Sequence, residues 1–153
     1  MVEVRQCSFL EVGAFKELPA LVDEYAAESA IGGLPTPHYV PENYLPLERA
    51  GVAQLIIATN EDRLIGFVVV IVTINPRYDV PVAAFEVFFV GSEYRKGGAG
   101  MLLKRAAEDT AKAMGAIGIF AGAPIGGRLE QILDRCSGYR ETNRVFFKSL
   151  VDE

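Results

Sequence analysis

The sequence predicts an α/β protein of the mixed α+β kind, a mixed sheet with helices on its faces. Three observations carry that expectation. The chain has 153 residues, the size of a single domain spanning 1–153 at a norm of about 150 residues per domain. A run rich in Val and Ile, Leu64 to Ile74, reads as a buried central strand. A second apolar strand, Val82 to Val90, runs through a glycine-rich turn straight into an amphipathic helix, a step typical of layered α and β folds.

In chain order, the helical spacing of Phe15, Leu18, Leu21, Val22 and Tyr25 predicts one or two helices between Phe9 and Ser29, with a break near Pro19. Ile31-Gly32-Gly33-Leu34-Pro35-Thr36-Pro37-His38 is a loop by composition. Pro41 to Ala50 reads as a helix, with proline at its start and Gly51 past its end. Gln54 to Thr59 is a short apolar strand, and Asn60-Glu61-Asp62-Arg63 a hairpin turn into Leu64–Ile74. Asn75 to Pro81 forms a loop before Val82–Val90. The helix after Gly100 carries an apolar stripe of Leu103, Ala107, Thr110 and Met114, widened by Leu102 and Ala106. Lys104–Glu108, Arg105–Asp109 and Glu108–Lys112 are opposite-charge pairs at i,i+4 on its solvent side, and Gly115 stops it. Ile117 to Ala121 reads as a strand, Arg128 to Arg135 as a helix, and Tyr139 to Leu150 as a closing strand around Val145-Phe146-Phe147.

Composition excludes several functions. With 15 Lys and Arg against 20 Asp and Glu, the net charge of -5 argues against a general nucleic-acid binder, whose phosphate contacts need a basic face. The longest apolar run is far short of the roughly 20 residues of a membrane span. Met1-Val2-Glu3-Val4-Arg5 has no basic-then-apolar leader pattern, so a cytoplasmic location is expected. Cys7 and Cys136 have no metal-ligand spacing, and free thiols in a reducing compartment are the expectation. His38 is the single histidine, so a zinc site or a serine–histidine triad is poorly supplied, and no metal is expected.

The informative segment is Val90-Gly91-Ser92-Glu93-Tyr94-Arg95-Lys96-Gly97-Gly98-Ala99-Gly100-Met101. Glycines let backbone N–H groups approach a ligand without obstruction by Cβ. The first turn of the helix adds unpaired donors and the positive end of its dipole. Together they suit a pyrophosphate, with Arg95 and Lys96 adding charge at the edge. The segment lacks the Gly-Lys-Ser/Thr ending of a nucleotide-binding P-loop and lies too late in the chain for a Rossmann unit. A glycine-rich connection with no ligand is the plainer alternative.

Arg95-x-x-Gly98-x-Gly100, placed between such a strand and helix, resembles the acyl-CoA signature of the GNAT superfamily of N-acetyltransferases. The element order is similar to that fold, and Gly138-Tyr139-Arg140-Glu141-Thr142 resembles the approach to its last strands. Glu-Tyr-Arg before the glycines and Gly-Tyr-Arg near the end resemble many bacterial and phage-borne members. The resemblance covers about Leu55 to Leu150. It implies the GNAT-like acyl-CoA N-acyltransferase fold, a central, mostly antiparallel sheet flanked by helices. It also implies acetyl-CoA as co-substrate. The pyrophosphate would lie on the backbone of Arg95, Lys96, Gly97, Gly98, Ala99 and Gly100, with Met101 just beyond. The pantetheine arm would pair with Phe88, Phe89 and Val90 like an added strand. In the family this strand and the next, here Ile117–Ala121, splay apart to admit the thioester. Members often dimerise, so a homodimer belongs with the expectations.

Glu86 is the only charged residue between Val82 and Val90. A lone carboxylate on a central strand is costly unless it is paired or faces a cavity. An alkylammonium must lose a proton before it attacks a thioester, and a carboxylate can take it. The family resemblance carries the role of base or substrate anchor to Glu86; the bland alternatives are a solvent-facing side chain or a pair with Arg77. Two positions depart from the family pattern: Gly127 stands where many members have an asparagine, and Asp134 where many have a tyrosine acid. Tyr139 is the nearest other hydroxyl, with a core aromatic as its plainer reading. His38 and Tyr39 fall in the loop that the family uses to line its acceptor pocket, with Tyr44 beside them; a surface histidine is the plainer reading of His38. Cys136 reads as a packing residue. The resulting expectation is an acetyl-CoA-dependent transferase acting by direct attack of a small-molecule or peptide primary amine, the oxyanion held by a backbone N–H such as that of Val90. The rivals are a CoA-binding sensor or structural protein without turnover, and a ligand-free interaction module.

Overall fold

The computed structural model describes residues 1–136 and 138–151. Its elements are β1 (Val2–Cys7), α1 (Leu18–Ser29), α2 (Pro41–Arg49), β2 (Ala53–Asn60), β3 (Arg63–Asn75), β4 (Val80–Val90), α3 (Ala99–Ala113), β5 (Ile119–Ala121) and α4 (Arg128–Arg135), with short 3₁₀ turns at Glu11–Ala14 and Ser92–Gly97. The strands form one sheet in the order β1-β2-β3-β4-β5. The first three pairings are antiparallel and β4 pairs with β5 in parallel. A parallel pair needs a crossover, and α3 supplies it. This is the expected mixed, mostly antiparallel sheet flanked by helices.

Side chains alternate between the sheet's two faces. Leu55, Ile57, Phe67, Val69 and Phe89 pack under α1 and α2, together with Phe9 and Val12. Ile56, Val68, Val70, Phe85 and Val90 pack under α3 through Leu103, Ala107 and Ala111. β2 and β3 are joined by Glu61 and Asp62, both at positive φ (51 and 64), the two-residue hairpin geometry that matches strand twist. Pro19 lies in the first turn of α1, where a missing N–H costs no helical bond, so it starts the helix rather than breaking it. Of the pairs on α3, Lys104–Glu108 closes at 3.1 Å.

Two features differ from the sequence expectation. Val2–Cys7 is an edge strand on β2, where a loop would have served the sequence equally well. Its alternation of Val2 and Val4 with Glu3 and Arg5 is the signal. The expected strand Tyr139–Leu150 is not formed among the described residues. Val145 and Phe146 are 94% and 89% exposed, and the ring of Phe147 lies against Gly33 in the Gly/Pro loop instead. β-propensity reports how well a side chain fits a pleated surface, and here the chain returns along a loop that offers no ladder. Among the described residues no helix is long and apolar enough to cross a membrane.

Candidate active site

The two ladders of β4 fall out of step at one residue. Val69 pairs with Val87 and Val70 with Phe85, so Glu86 is an extra residue, a β-bulge. Without it Phe85 and Val87 would already alternate correctly. With it, Glu86 and Val87 both line a cavity on the α1 and α2 side. The same residue marks a second break. β5 pairs with β4 only from Ala83 to Phe85, so Glu86 is the first residue past the last parallel rung. From there to Val90 the edge of β4 next to β5 has no ladder partner among the described residues, about 13 Å of strand at 3.3 Å per residue. Phe88, Phe89 and Val90 send their side chains into the two cores, leaving backbone at that edge.

The cavity has a volume of about 390 Å³. Its walls come from the first turn region (Phe9, Val12), α1, the loop Pro35–Tyr39 and Tyr44 on α2; Leu55, Phe67 and Val69 make the floor. Tyr44 Oη donates to Glu86 Oε2 at 3.1 Å, and its ring stacks on Phe9 at 4.9 Å. Glu86 stays open to solvent at the cavity mouth, so the solvent-facing alternative holds in part; partial burial of its carboxyl raises it above the usual range, while the Tyr44 hydrogen bond pulls it back. Burial and the nearby Glu86 carboxylate raise the Tyr44 hydroxyl too, so it stays a protonated donor. Tyr39 Oη donates to the carbonyl of Phe9, and burial first, then Glu48, pushes its hydroxyl up to about 12. His38 Nδ1 lies 3.2 Å from the Thr36 carbonyl, which places a ring proton on Nδ1. Glu86, His38 and Tyr39 thus share one cavity. Arg77 does not pair with Glu86; its guanidinium lies over the ring of Tyr78.

The glycine turn sits at the far end of β4. Gly91 N–H donates to the Ile65 carbonyl at 2.8 Å and Ser92 N–H to Glu24 of α1 at 2.7 Å, which fixes where the turn leaves the sheet. Gly98 caps α3 at φ 82, a conformation that glycine adopts without strain. A Cβ built on Gly97, Gly98 or Gly100 would meet nothing within 4 Å, and no side chain caps α3. An uncapped helix start beside glycines with open space above them is a cradle of the kind a pyrophosphate fills. Ala99 is different: its side chain is fully buried in the core, leaving only its backbone to face a ligand. The side chain of Arg95 is committed elsewhere. Its Nε donates to the Val90 carbonyl at 2.9 Å, another nitrogen pairs with Glu28 at 2.6 Å, and the guanidinium covers the Phe89 ring. It pins the turn to α1 rather than adding free charge at the rim. Lys96 and Met101 are exposed.

Sequence reasoning missed Arg128. It opens α4 and one of its guanidinium nitrogens donates to the Arg95 carbonyl at 3.3 Å, so a second basic group beside the cradle, besides the exposed Lys96, comes from another element. Gly127 caps the same helix without a side chain, and Asp134 is exposed. Tyr139 donates to Glu108 at 2.8 Å and packs under Lys104, so it belongs to the surface of α3. Cys7 is buried, which pushes its thiol up to about 11.

Solved structures share this architecture across nearly the whole chain. An aminoglycoside acetyltransferase from an uncultured soil metagenomic sample, in complex with sisomicin, superposes with a TM-score of 0.75 at 15% identity, covering 99% of this chain and 97% of that one. A ribosomal-protein-alanine N-acetyltransferase from Brucella melitensis biovar Abortus 2308 gives 0.72 at 15%, covering 97% and 99%. AAC(6')-Iy in complex with a bisubstrate analog, CoA-S-monomethyl-acetylneamine, gives 0.70 at 19%, covering 97% of each chain. At such identities the likeness is one of fold. No curated protein matches the chain in sequence. The profile of the acetyltransferase (GNAT) family matches residues 18–124, from the start of α1 to just past β5. That stretch contains the bulge, the open edge of β4 and the glycine cradle, and it makes this chain a member of the acetyltransferase (GNAT) family, an N-acetyltransferase.

Proposed function

We propose that the chain works as a single acetyltransferase domain that moves the acetyl group of acetyl-CoA to a primary amine by direct attack, with Glu86 as the base. The observation that carries this is the position of Glu86. The bulge turns the one carboxylate of β4 into a cavity at the point where β4 loses its β5 partner. The pyrophosphate would lie on the backbone from Arg95 to Gly100 beneath Arg128, and the pantetheine arm would pair with the open edge at Phe88, Phe89 and Val90. The thioester would then arrive beside Glu86.

The chemistry follows from the charges. An amine enters as an ammonium and Glu86 takes its proton. The neutral nitrogen attacks the acetyl carbonyl, forming the C–N bond; as the tetrahedral intermediate collapses, the C–S bond breaks, the nitrogen gives its second proton to the departing thiolate or to water, and CoA leaves, its thiol pKa near 8.5 making it a fair leaving group. Raising the carboxyl by burial brings its proton affinity closer to that needed for base catalysis near neutrality. His38 and Tyr39 would contact the acceptor from the loop side. Two free cysteines fit a reducing, cytoplasmic setting.

Glu86→Gln keeps the size of the side chain and removes its basicity. Acetyl transfer should fall about 10²–10⁴-fold, while acetyl-CoA affinity by calorimetry stays nearly unchanged. A fall of less than about threefold would leave Glu86 as an orienting residue only. Acetyl-CoA binding with no turnover across a broad amine panel would favour a CoA-binding sensor instead.

A further inference from the structure

The cavity that holds Glu86 is unusual for a site meant to receive charge. Five aromatic rings face it, those of Phe9, Tyr25, Tyr39, Tyr44 and Phe67, and Leu55, Val69 and their neighbours complete an apolar floor. Among the lining residues Glu86 is the only acid; Tyr44 donates to one of its oxygens, and Thr36, His38, Tyr25 and Tyr39 supply the other polar groups. We infer that the acceptor is a hydrophobic monoamine, a single aromatic ring or compact alkyl body carrying one primary ammonium on a short chain.

This rests on the transferase reading above and deepens it. One ammonium can pair with Glu86, whose second oxygen Tyr44 leaves available. The body of the molecule then takes the apolar floor, where burial of its surface drives binding. A volume of about 390 Å³ lies at the small end of ligand sites, enough for one ring system and its chain. A polycation fits poorly. Each further ammonium would find no second carboxylate in the lining, whose other polar groups are Thr36, His38 and tyrosine hydroxyls. A purely apolar ligand would displace water from the Glu86 oxygen that Tyr44 does not reach and put nothing in its place, so the single charge is part of the recognition.

The test uses the full chain with four probes: 2-phenylethylamine, its uncharged analogue 2-phenylethanol, spermidine and kanamycin. Transfer from acetyl-CoA is followed by thiol release, and binding without acetyl-CoA by calorimetry. The expected result is kcat/KM for 2-phenylethylamine at least about tenfold above those for spermidine and kanamycin. Binding of 2-phenylethylamine should be tighter than that of 2-phenylethanol, and Glu86→Gln should remove the difference. Equal or better use of either polycation would overturn the inference and leave the transferase reading standing. Absence of binding and turnover with 2-phenylethylamine would also overturn it. Glu86-dependent binding of 2-phenylethylamine, with no acetyl-CoA binding and no transfer to any amine, would keep this acceptor pocket and remove the transferase reading.

Discussion

Removing one oxygen from Tyr44 should move the pH dependence of transfer and little else. In Tyr44→Phe the ring keeps its stack on Phe9 at 4.9 Å, but the 3.1 Å hydrogen bond to Glu86 is gone. That bond goes to the ionised carboxylate and so lowers its pKa against the effect of burial. Without it, the carboxyl holds its proton to higher pH. A base must be ionised to act, so the acid limb of kcat/KM should shift to higher pH. A hydrogen bond to a charged group contributes about 1.5–3 kcal/mol. Water reaches Glu86 and replaces part of it, so about 1 kcal/mol is the reasonable share, or roughly fivefold in the ionisation constant. Below the limb, the variant should therefore be roughly fivefold slower than the parent, and above it the two should converge. Thiol release from acetyl-CoA, measured from about pH 5 to 8 with a saturable amine, reads this directly. A limb that stays in place, or moves to lower pH, would refute Glu86 as the titrating base or Tyr44 as its partner.

The glycine cradle is best probed at Gly100, which has open space and an ordinary φ, whereas any side chain at Gly98 would be strained by its φ of 82. Gly100→Val should weaken acetyl-CoA binding by at least about tenfold in calorimetry and leave the melting temperature nearly unchanged; equal affinity would remove the phosphate assignment. Arg128→Ala should weaken acetyl-CoA about 3- to 10-fold, less so at high salt, and leave acetyl-pantetheine, which lacks the phosphates, unaffected. At Gly66, a Cβ would sit 2.8 Å from the Phe89 carbonyl oxygen in the middle of the sheet. Gly66→Ala should cost about 1–3 kcal/mol in urea unfolding, and a neutral result would mean that β3 and β4 can separate there.

How far the chain could be read depended on whether each signal was local. The Gly/Pro punctuation, the Asn60–Arg63 turn and the period of α3 are local, and each element they predict is present. The Val2–Cys7 strand is local too, but six alternating residues at an edge do not stand apart from a loop until a partner is known. Tyr139–Leu150 shows the converse, strand-forming residues with no ladder to join among the described residues. At the site, Glu86 was legible because a lone carboxylate amid Val and Phe demands a reason. Its bulge was not, since a register shift belongs to two strands at once. Nor was the use of Arg95: Glu28, the acid that occupies it, and Arg128, which bonds its carbonyl, lie 67 and 33 residues away in the chain.

The bulge separates what holds this protein together from what it does. Every other residue of β4 between Ala83 and Val90 has its place set by a core on one face or the other or by a ladder rung, so its identity is constrained by volume. Residue 86 alone is outside that count. Its side chain can be exchanged, or the residue removed, without asking Phe85 or Val87 to change faces. Such a position behaves as a socket in the scaffold. The carboxylate carried there could become an amide, a hydroxyl or an imidazole while the sheet around it stays the same, so a change of chemistry on this frame requires one codon and no repacking.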